Sequence, residues 1–194
     1  MNKPTLVLAS TSRYRKMVLE KLCIPFKTTR PDTDETPLEN ETAVDLVTRL
    51  SELKARAVIN EFPNALIIGS DQVAVLDEKV LGKPGNFERA HDQLRLLSGN
   101  TVVFHTGLCL LNSATNTAQV EVIDYKVNFR DLSDAEIDHY LKQDEPYDSA
   151  GSFKSEGLGI ALFESMTGED PNALIGLPLI RLTSMLKNEN FSVL

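Results

Sequence analysis

The sequence feature that most constrains the fold is an apolar stretch, residues 65–75, that polar residues interrupt at its centre. Leu66–Ile68 is a short apolar run with two β-branched residues, which is typical of a buried strand. Gly69–Ser70 follows, where we expect the backbone to bend, and Asp71 then precedes a second apolar run beginning at Val73. A carboxylate between two apolar segments must be exposed in a cleft, paired, or desolvated at a large cost in free energy.

Spacing alone favours the simplest interpretation of Asp71, an ordinary aspartate in a turn. Other charged residues also occupy unusual positions within their segments, and this favours a cleft. These residues are Arg15, Glu35, Lys54 and Lys83.

The length and composition predict one globular domain over residues 1–194. The chain is long enough for a sizeable core, and its hydrophobic fraction of 42% and charged fraction of 25% are ordinary for a globular protein. The formal net charge of -8 argues against non-specific binding to nucleic acid, which needs a basic surface. It leaves room for a small anionic ligand, because a local basic cluster is enough for that.

The sequence also predicts a cytoplasmic protein without a membrane partner. No apolar run approaches the roughly 20 residues of a membrane span, and the N-terminus lacks the apolar segment of a signal peptide. Cys23 and Cys109 have neither metal-site spacing nor the pattern of a disulfide framework, so we interpret them as reduced thiols.

The N-terminal segment contains a candidate phosphate site. A buried strand over Thr5–Leu8 leads into a loop with the hydroxyls of Ser10 and Ser12, and a helix is expected from about Arg13 to Leu22 with Ser12 as its N-cap. Arg15 lies in the first turn, where free backbone N–H groups and the helix dipole already favour an anion. A basic first turn that merely faces solvent is an equally good interpretation.

Two further segments offer charged groups. The acidic loop 31–37 contains Glu35 and is either a simple turn or a source of carboxylates for a divalent metal. The helix predicted from about Ala43 to Asn60 carries Lys54 at the border of its apolar stripe. A border lysine usually extends to solvent, so we expect Lys54 to do so unless an anion lies beneath it.

The rest of the chain predicts a mixed α/β fold in a single domain without repeats. A hairpin over Val73–Leu81 ends at Gly82-Lys83-Pro84, and Ser133 with Glu136 forms a capping box. The other expected elements are helices at 87–97 and 133–142 and strands at 101–111, 119–129 and 160–164. The segment 174–186 is expected to carry the closing helix after Gly176-Leu177-Pro178.

A series of short motifs runs through the chain from one end almost to the other. In order, they are Leu8-Ala9-Ser10-Thr11-Ser12 with Arg15, Asp34-Glu35-Thr36-Pro37, Lys54-Ala55, Ile68-Gly69-Ser70-Asp71-Gln72, Gly82-Lys83-Pro84, Leu97-Ser98-Gly99, Thr106-Gly107, Ala150-Gly151-Ser152-Phe153 and Gly176-Leu177-Pro178. With these motifs in this order, the chain resembles the Maf family of nucleoside triphosphate pyrophosphatases almost from end to end. One departure is Arg13, where the family commonly has proline at the first helical position.

The resemblance implies a fold like that of inosine triphosphatases, with a mixed β-sheet, flanking helices and a central nucleotide cleft. It implies hydrolysis of a triphosphate to a monophosphate and pyrophosphate, with Asp71 as the proton acceptor that activates water. A divalent cation, Mg²⁺ or Mn²⁺, would be held by Glu35 and Asp71. The residues that would bind phosphate are Ser10, Ser12, Arg15, Lys54 and Lys83.

The resemblance also assigns base specificity to Tyr14, Gln72 and Glu156. Ser70-Asp71-Gln72 and Phe153–Gly157 are similar to the branch acting on 7-methyl-GTP, whereas the branch acting on dTTP and UTP usually has threonine after the aspartate and glutamine in place of Glu156. Methylation leaves guanine cationic, which favours an aromatic face and a carboxylate.

Two alternatives remain at this stage. One is a pyrophosphatase for dTTP, UTP or another modified nucleotide, and the other is a nucleotide-binding regulator of cell division without important turnover. The sequence leaves the oligomeric state open, with a homodimer as one option.

Overall fold

The computed structural model describes residues 4–194, and the elements of that part are a sheet, five α-helices and two short 3-10 helices. The strands are β1 Thr5–Ala9, β2 Lys27–Thr29, β3 Ala65–Leu76, β4 Lys79–Leu81, β5 Thr101–Asn112, β6 Thr117–Phe129 and β7 Phe163–Gly168. The helices are α1 Arg13–Glu20, α2 Ala43–Ala57, α3 Phe87–Leu97, α4 Asp134–Asp144 and α5 Leu179–Asn188.

The sheet has the order β2-β1-β3-β5-β6-β7, with β4 paired to β3. β1 runs parallel to both β2 and β3, whereas the pairs β3–β4 and β6–β7 are antiparallel. These orientations confirm the predicted mixed α/β fold. The register pairs Leu8 of β1 with Ile68 of β3, so the loop with Ser10 and the residues before Asp71 lie at corresponding positions along two neighbouring parallel strands.

The chain divides into two compact units. The first comprises residues 1–72, 106–123 and 170–194, of which residues 1–3 lie outside the described part, and the second comprises 73–105 and 124–169. The single domain expected over residues 1–194 stays a prediction.

In the first unit, β1, β3 and α2 share a buried cluster. Its members come from these elements and from β5, and include Val7, Ile67, Ala55 and Cys109. Burial raises the pKa of the Cys109 thiol to about 12, which keeps this cysteine protonated and inert at neutral pH. Cys23 is exposed, and both cysteines are free thiols as predicted.

In the second unit, Phe153 is the centre of an aromatic cluster. Its ring meets those of Phe104, Phe129 and Phe163 edge to face, with centroids 4.9 to 5.5 Å apart. Such pairs contribute about 0.5–1.5 kcal/mol each beyond the area they bury. The cluster anchors the segment that follows Phe153, which contains Glu156.

Several expected local features are confirmed and others are wrong. Ser12 caps α1 and the capping box at Ser133 is present. The expected bend at Gly69–Ser70 is wrong, because β3 continues through it as one strand of 12 residues. The strand expected at 160–164 is displaced to Phe163–Gly168 behind a 3-10 turn. The closing helix α5 begins directly after Pro178, as expected.

Candidate functional site

Asp71 lies inside β3 and forms a buried ion pair with Lys54 of α2. Lys54 Nζ lies 2.6 Å from Asp71 Oδ1, and the two residues are only 6% and 8% exposed. The same ammonium lies 3.0 Å from Oε1 of Glu35. The turn interpretation of Asp71 is therefore wrong, and Lys54 does not extend to solvent because an anion lies beneath it.

Two glycines allow α2 to approach the sheet closely enough for this pair to form. A Cβ added to Gly69 would lie 2.0 Å from the carbonyl oxygen of Ser51, and one added to Gly107 would lie 2.2 Å from that of Val47. Only glycine fits such contacts. Because Lys54 follows Ser51 by one helical turn, this close approach is what places its ammonium beside Asp71. Gly69 thus serves helix packing rather than a bend.

Arg15 reaches the same group of charges from α1. Its Nε donates to the carbonyl of Gly176 at 3.0 Å, and the hydroxyl of Ser70 lies 2.8 Å from that carbonyl oxygen. Burial lowers the pKa of Arg15, while the charges of Asp71 and Glu35 raise it. Arg15 therefore lies within electrostatic reach of both carboxylates.

Ser10 and Ser12 shape the loop that leads into α1. The backbone N–H of Ser12 donates to Oγ of Ser10 at 3.1 Å, and Oγ of Ser12 accepts from the N–H of Arg15 at 3.3 Å. Both hydroxyl oxygens thus organise the start of the helix, which is the kind of terminus that accepts phosphate.

Gln72 is fixed by hydrogen bonds that sequence analysis did not anticipate. Its Nε2 donates to Oγ1 of Thr106 at 2.9 Å and to the carbonyls of Ala173 and Leu174 at 2.6 and 3.2 Å. The buried hydroxyl of Thr106 also donates to Ala173. The Thr106-Gly107 motif was the available signal for this role.

Tyr14 has a cationic neighbour on its ring. The guanidinium carbon of Arg13 lies 4.7 Å from the ring centroid, and Nη2 of Arg13 donates to the tyrosine hydroxyl at 2.6 Å. The position where the family commonly has proline thus carries a cation that interacts with Tyr14.

Lys83 and Glu156 both belong to the second unit. Lys83 is exposed in the turn after β4, whose Gly82 carbonyl accepts from Gln93 of α3 at 3.2 Å. Glu156 is also exposed, and Oγ of Ser155 donates to its Oε2 at 3.2 Å.

The described residues 4–194 contain no group of three or more histidine, cysteine, aspartate or glutamate side chains placed to hold a metal ion. Asp71 and Glu35 form a pair of carboxylates whose oxygens both approach the Lys54 ammonium. Two carboxylates that converge on one cationic group fit the donor set of a hard divalent cation that keeps several waters.

A family model described as Maf-like protein matches residues 5–189. The chain belongs to the Maf family. Curated Maf relatives cover nearly its full length: the 7-methyl-GTP pyrophosphatase of Nitrosococcus oceani is 56% identical over 98% of this chain and 96% of its own. The protein of the same name from Pseudoalteromonas atlantica is 57% identical over 97% and 96%.

A solved structure supports the fold assignment of this Maf chain. A HAM1 protein from Coxiella burnetii superposes with a TM-score of 0.59 over 96% of this chain and all of its own, at 16% sequence identity. At that identity the likeness concerns the fold alone. Within the described residues, no helix is both long and apolar enough to cross a membrane.

Proposed function

We propose that this protein hydrolyses 7-methyl-GTP to 7-methyl-GMP and pyrophosphate. The observation that carries the proposal is the buried Asp71–Lys54 pair, with Arg15 in electrostatic reach, in a chain more than half identical to relatives named 7-methyl-GTP pyrophosphatase. A carboxylate can act as a general base on water, and cations beside it can stabilise the charge that develops on a triphosphate.

Asp71 is the general base in this proposal. Lys54 holds its Oδ1, so we assign Oδ2 as the oxygen that removes a proton from the attacking water. The water oxygen forms a bond to the α-phosphorus, the bond from that phosphorus to the bridging oxygen breaks, and pyrophosphate leaves with the electron pair. Arg15 and Lys54 stabilise the negative charge that develops on the departing group, and we assign Lys83 to the same role.

Asp71 and Glu35 are the residues that would hold a divalent cation, Mg²⁺ or Mn²⁺. A bound cation would neutralise phosphate charge, and with two protein carboxylates its remaining ligands would come from substrate phosphates and water. Ser10 and Ser12 would present the amino end of α1 to a phosphate.

Tyr14, Gln72 and Glu156 are assigned to recognition of the base. A cationic methylguanine favours an aromatic ring and a carboxylate, and the carboxylate of Glu156 can accept from the ring N–H and the amino group of guanine. Because Nε2 of Gln72 is held by backbone carbonyls, its Oε1 is the atom that we assign to the base.

The deciding experiment is a screen of purified protein against 7-methyl-GTP, GTP, dTTP and UTP with Mg²⁺ and with Mn²⁺. We expect pyrophosphate release to be fastest with 7-methyl-GTP, and Asp71→Asn to lower it by about 10²–10⁴ because the general base is lost. A preference for dTTP or UTP would refute the substrate assignment, and nucleotide binding without turnover would favour a regulatory protein.

A further inference from the structure

The loop that carries Glu35 is attached to α2 by hydrogen bonds that lie outside the proposed site. Arg49 donates from Nε to Oε1 of Glu41 at 2.6 Å and from Nη2 to Oε2 at 2.8 Å. The same Nη2 donates to the carbonyl of Thr36, the residue after Glu35, at 3.2 Å. Glu41 Oε2 also accepts from the N–H of Leu38 at 2.9 Å. We call Thr36, Leu38, Glu41 and Arg49 the Arg49 clamp.

The ion pair of this clamp is unlike the ordinary surface pairs of the protein. The Glu41 side chain is only 6% exposed, and the arginine engages both of its carboxylate oxygens. The hydrogen bond from Arg49 is the main reason that the pKa of Glu41 falls to about 2. By contrast, Lys16 and Glu20 are 3.8 Å apart with more than half of each side chain exposed. Bidentate pairs fix geometry as well as charge.

Glu35, in contrast, has little that holds it in place by itself. Its side chain is 56% exposed, and its ion pair with Lys54 spans 3.0 Å. An exposed side chain on a loop has many alternative positions, so its average distance from Asp71 depends on how firmly the loop is fixed. The clamp supplies that constraint one residue away, at Thr36.

We propose that Arg49 is a positioning residue, which holds Glu35 close to Asp71 through the clamp and thereby sets the affinity of the site for a divalent cation. This inference rests on the proposed function, in which Glu35 and Asp71 hold that cation. The hydrogen bonds of Arg49 go to Glu41 and to the carbonyl of Thr36, and none goes to Glu35 or Asp71. Its effect on the cation site therefore passes through the loop backbone.

A direct electrostatic effect would have the opposite sign. Arg49 is positively charged, and Asp71 is among the charges that raise its pKa. Removing a nearby positive charge would by itself strengthen the binding of a cation. Weaker cation binding after removal of Arg49 is therefore evidence of positioning.

The test compares Arg49→Met with Arg56→Met. Arg56 lies on the same helix and is also paired, with Glu52 at 2.7 Å and with Asn116 at 2.9 Å, but it does not contact the loop. The first readout is the dissociation constant for Mn²⁺ without nucleotide, from the electron paramagnetic resonance signal of free Mn²⁺. The second is kcat and KM for 7-methyl-GTP as a function of Mn²⁺ concentration.

We expect Arg49→Met to raise the Mn²⁺ dissociation constant about tenfold, in the range found when residues that support metal ligands are changed, and Arg56→Met to leave it unchanged. Saturating Mn²⁺ should restore kcat of Arg49→Met, because Asp71 and Lys54 are untouched. Arg49→Lys, which keeps the charge but not the two-pronged contact, should resemble Arg49→Met.

Three outcomes would contradict the proposal or its basis. Unchanged or tighter Mn²⁺ binding by Arg49→Met refutes the positioning role of Arg49 and leaves the proposed function untouched. If that variant does not fold, Glu41→Gln replaces it, and an unchanged dissociation constant there also refutes the clamp. A wild-type protein that neither binds Mn²⁺ nor releases pyrophosphate refutes the proposed function instead.

Discussion

Removal of Lys54 should destabilise the protein more than removal of its partner Asp71. Lys54→Met keeps the length of the aliphatic chain but leaves the Asp71 carboxylate, only 8% exposed, without the ammonium that lies 2.6 Å from it. Asp71→Asn is milder, because the amide oxygen can still accept from Lys54 and the ammonium keeps its contact with Glu35 at 3.0 Å.

The size of the expected loss in the free energy of unfolding follows from how deeply each partner is buried. Breaking a buried ion pair from one side typically costs about 3–5 kcal/mol, and we expect the lower end, about 3 kcal/mol, because Arg15 also interacts with Asp71. The contact with Glu35, which is 56% exposed, contributes about 1 kcal/mol at most. For a chain of this size, a loss of 3 kcal/mol lowers Tm by roughly 6–12 °C.

The assay is urea and thermal unfolding of Lys54→Met, Asp71→Asn and the double variant. Circular dichroism and tyrosine fluorescence should be followed together, since the chain has no tryptophan and 4 tyrosines and coincident transitions are the test of two-state unfolding. The double variant should recover most of the stability lost in Lys54→Met, because it also removes the buried carboxylate that Lys54→Met leaves without its ammonium partner. Additive losses, or a Lys54→Met variant as stable as wild type, would refute a dominant buried pair.

Three further predictions follow from other contacts. Glu156→Gln should lower kcat/KM for 7-methyl-GTP about tenfold to a hundredfold by removing a charged acceptor while sparing dTTP and UTP; an equal loss on all substrates would exclude base recognition. Gly69→Ala should lower the free energy of unfolding by about 1–3 kcal/mol or more, since its Cβ would lie 2.0 Å from a backbone carbonyl of α2, whereas the control Gly82→Ala meets nothing within 4 Å. Because hydrogen bonds from Arg49, chiefly, and from Leu38 lower the pKa of Glu41 from 4.5 to about 2, this carboxylate stabilises the folded state above pH 4.5 and loses that effect as the pH falls toward 2. The stability difference between wild type and Glu41→Gln, measured in urea at pH 6, 4.5 and 3.5, should therefore shrink with falling pH, and a constant difference would contradict this.

The sequence by itself determined the features that depend on neighbours along the chain. The cap at Ser12, the capping box at Ser133 and the hairpin over Val73–Leu81 are set by hydrogen bonds between residues a few positions apart. Their side-chain types and spacing are therefore visible in the sequence. The mixed α/β class was visible for the same reason, since periodicity distinguishes helices from strands.

Only the tertiary structure decided how the candidate site is built. Gln72 is held by the carbonyl of Ala173, 101 positions away in sequence, and Lys54 meets Asp71 only because Gly69 lets α2 pack directly on β3. Spacing suggested a bend at Gly69 because a glycine has the same sequence signature whether it permits a turn or a close contact. Whether a glycine permits a turn or a close contact depends on the element that packs against it, and the fold of the whole chain determines which element that is.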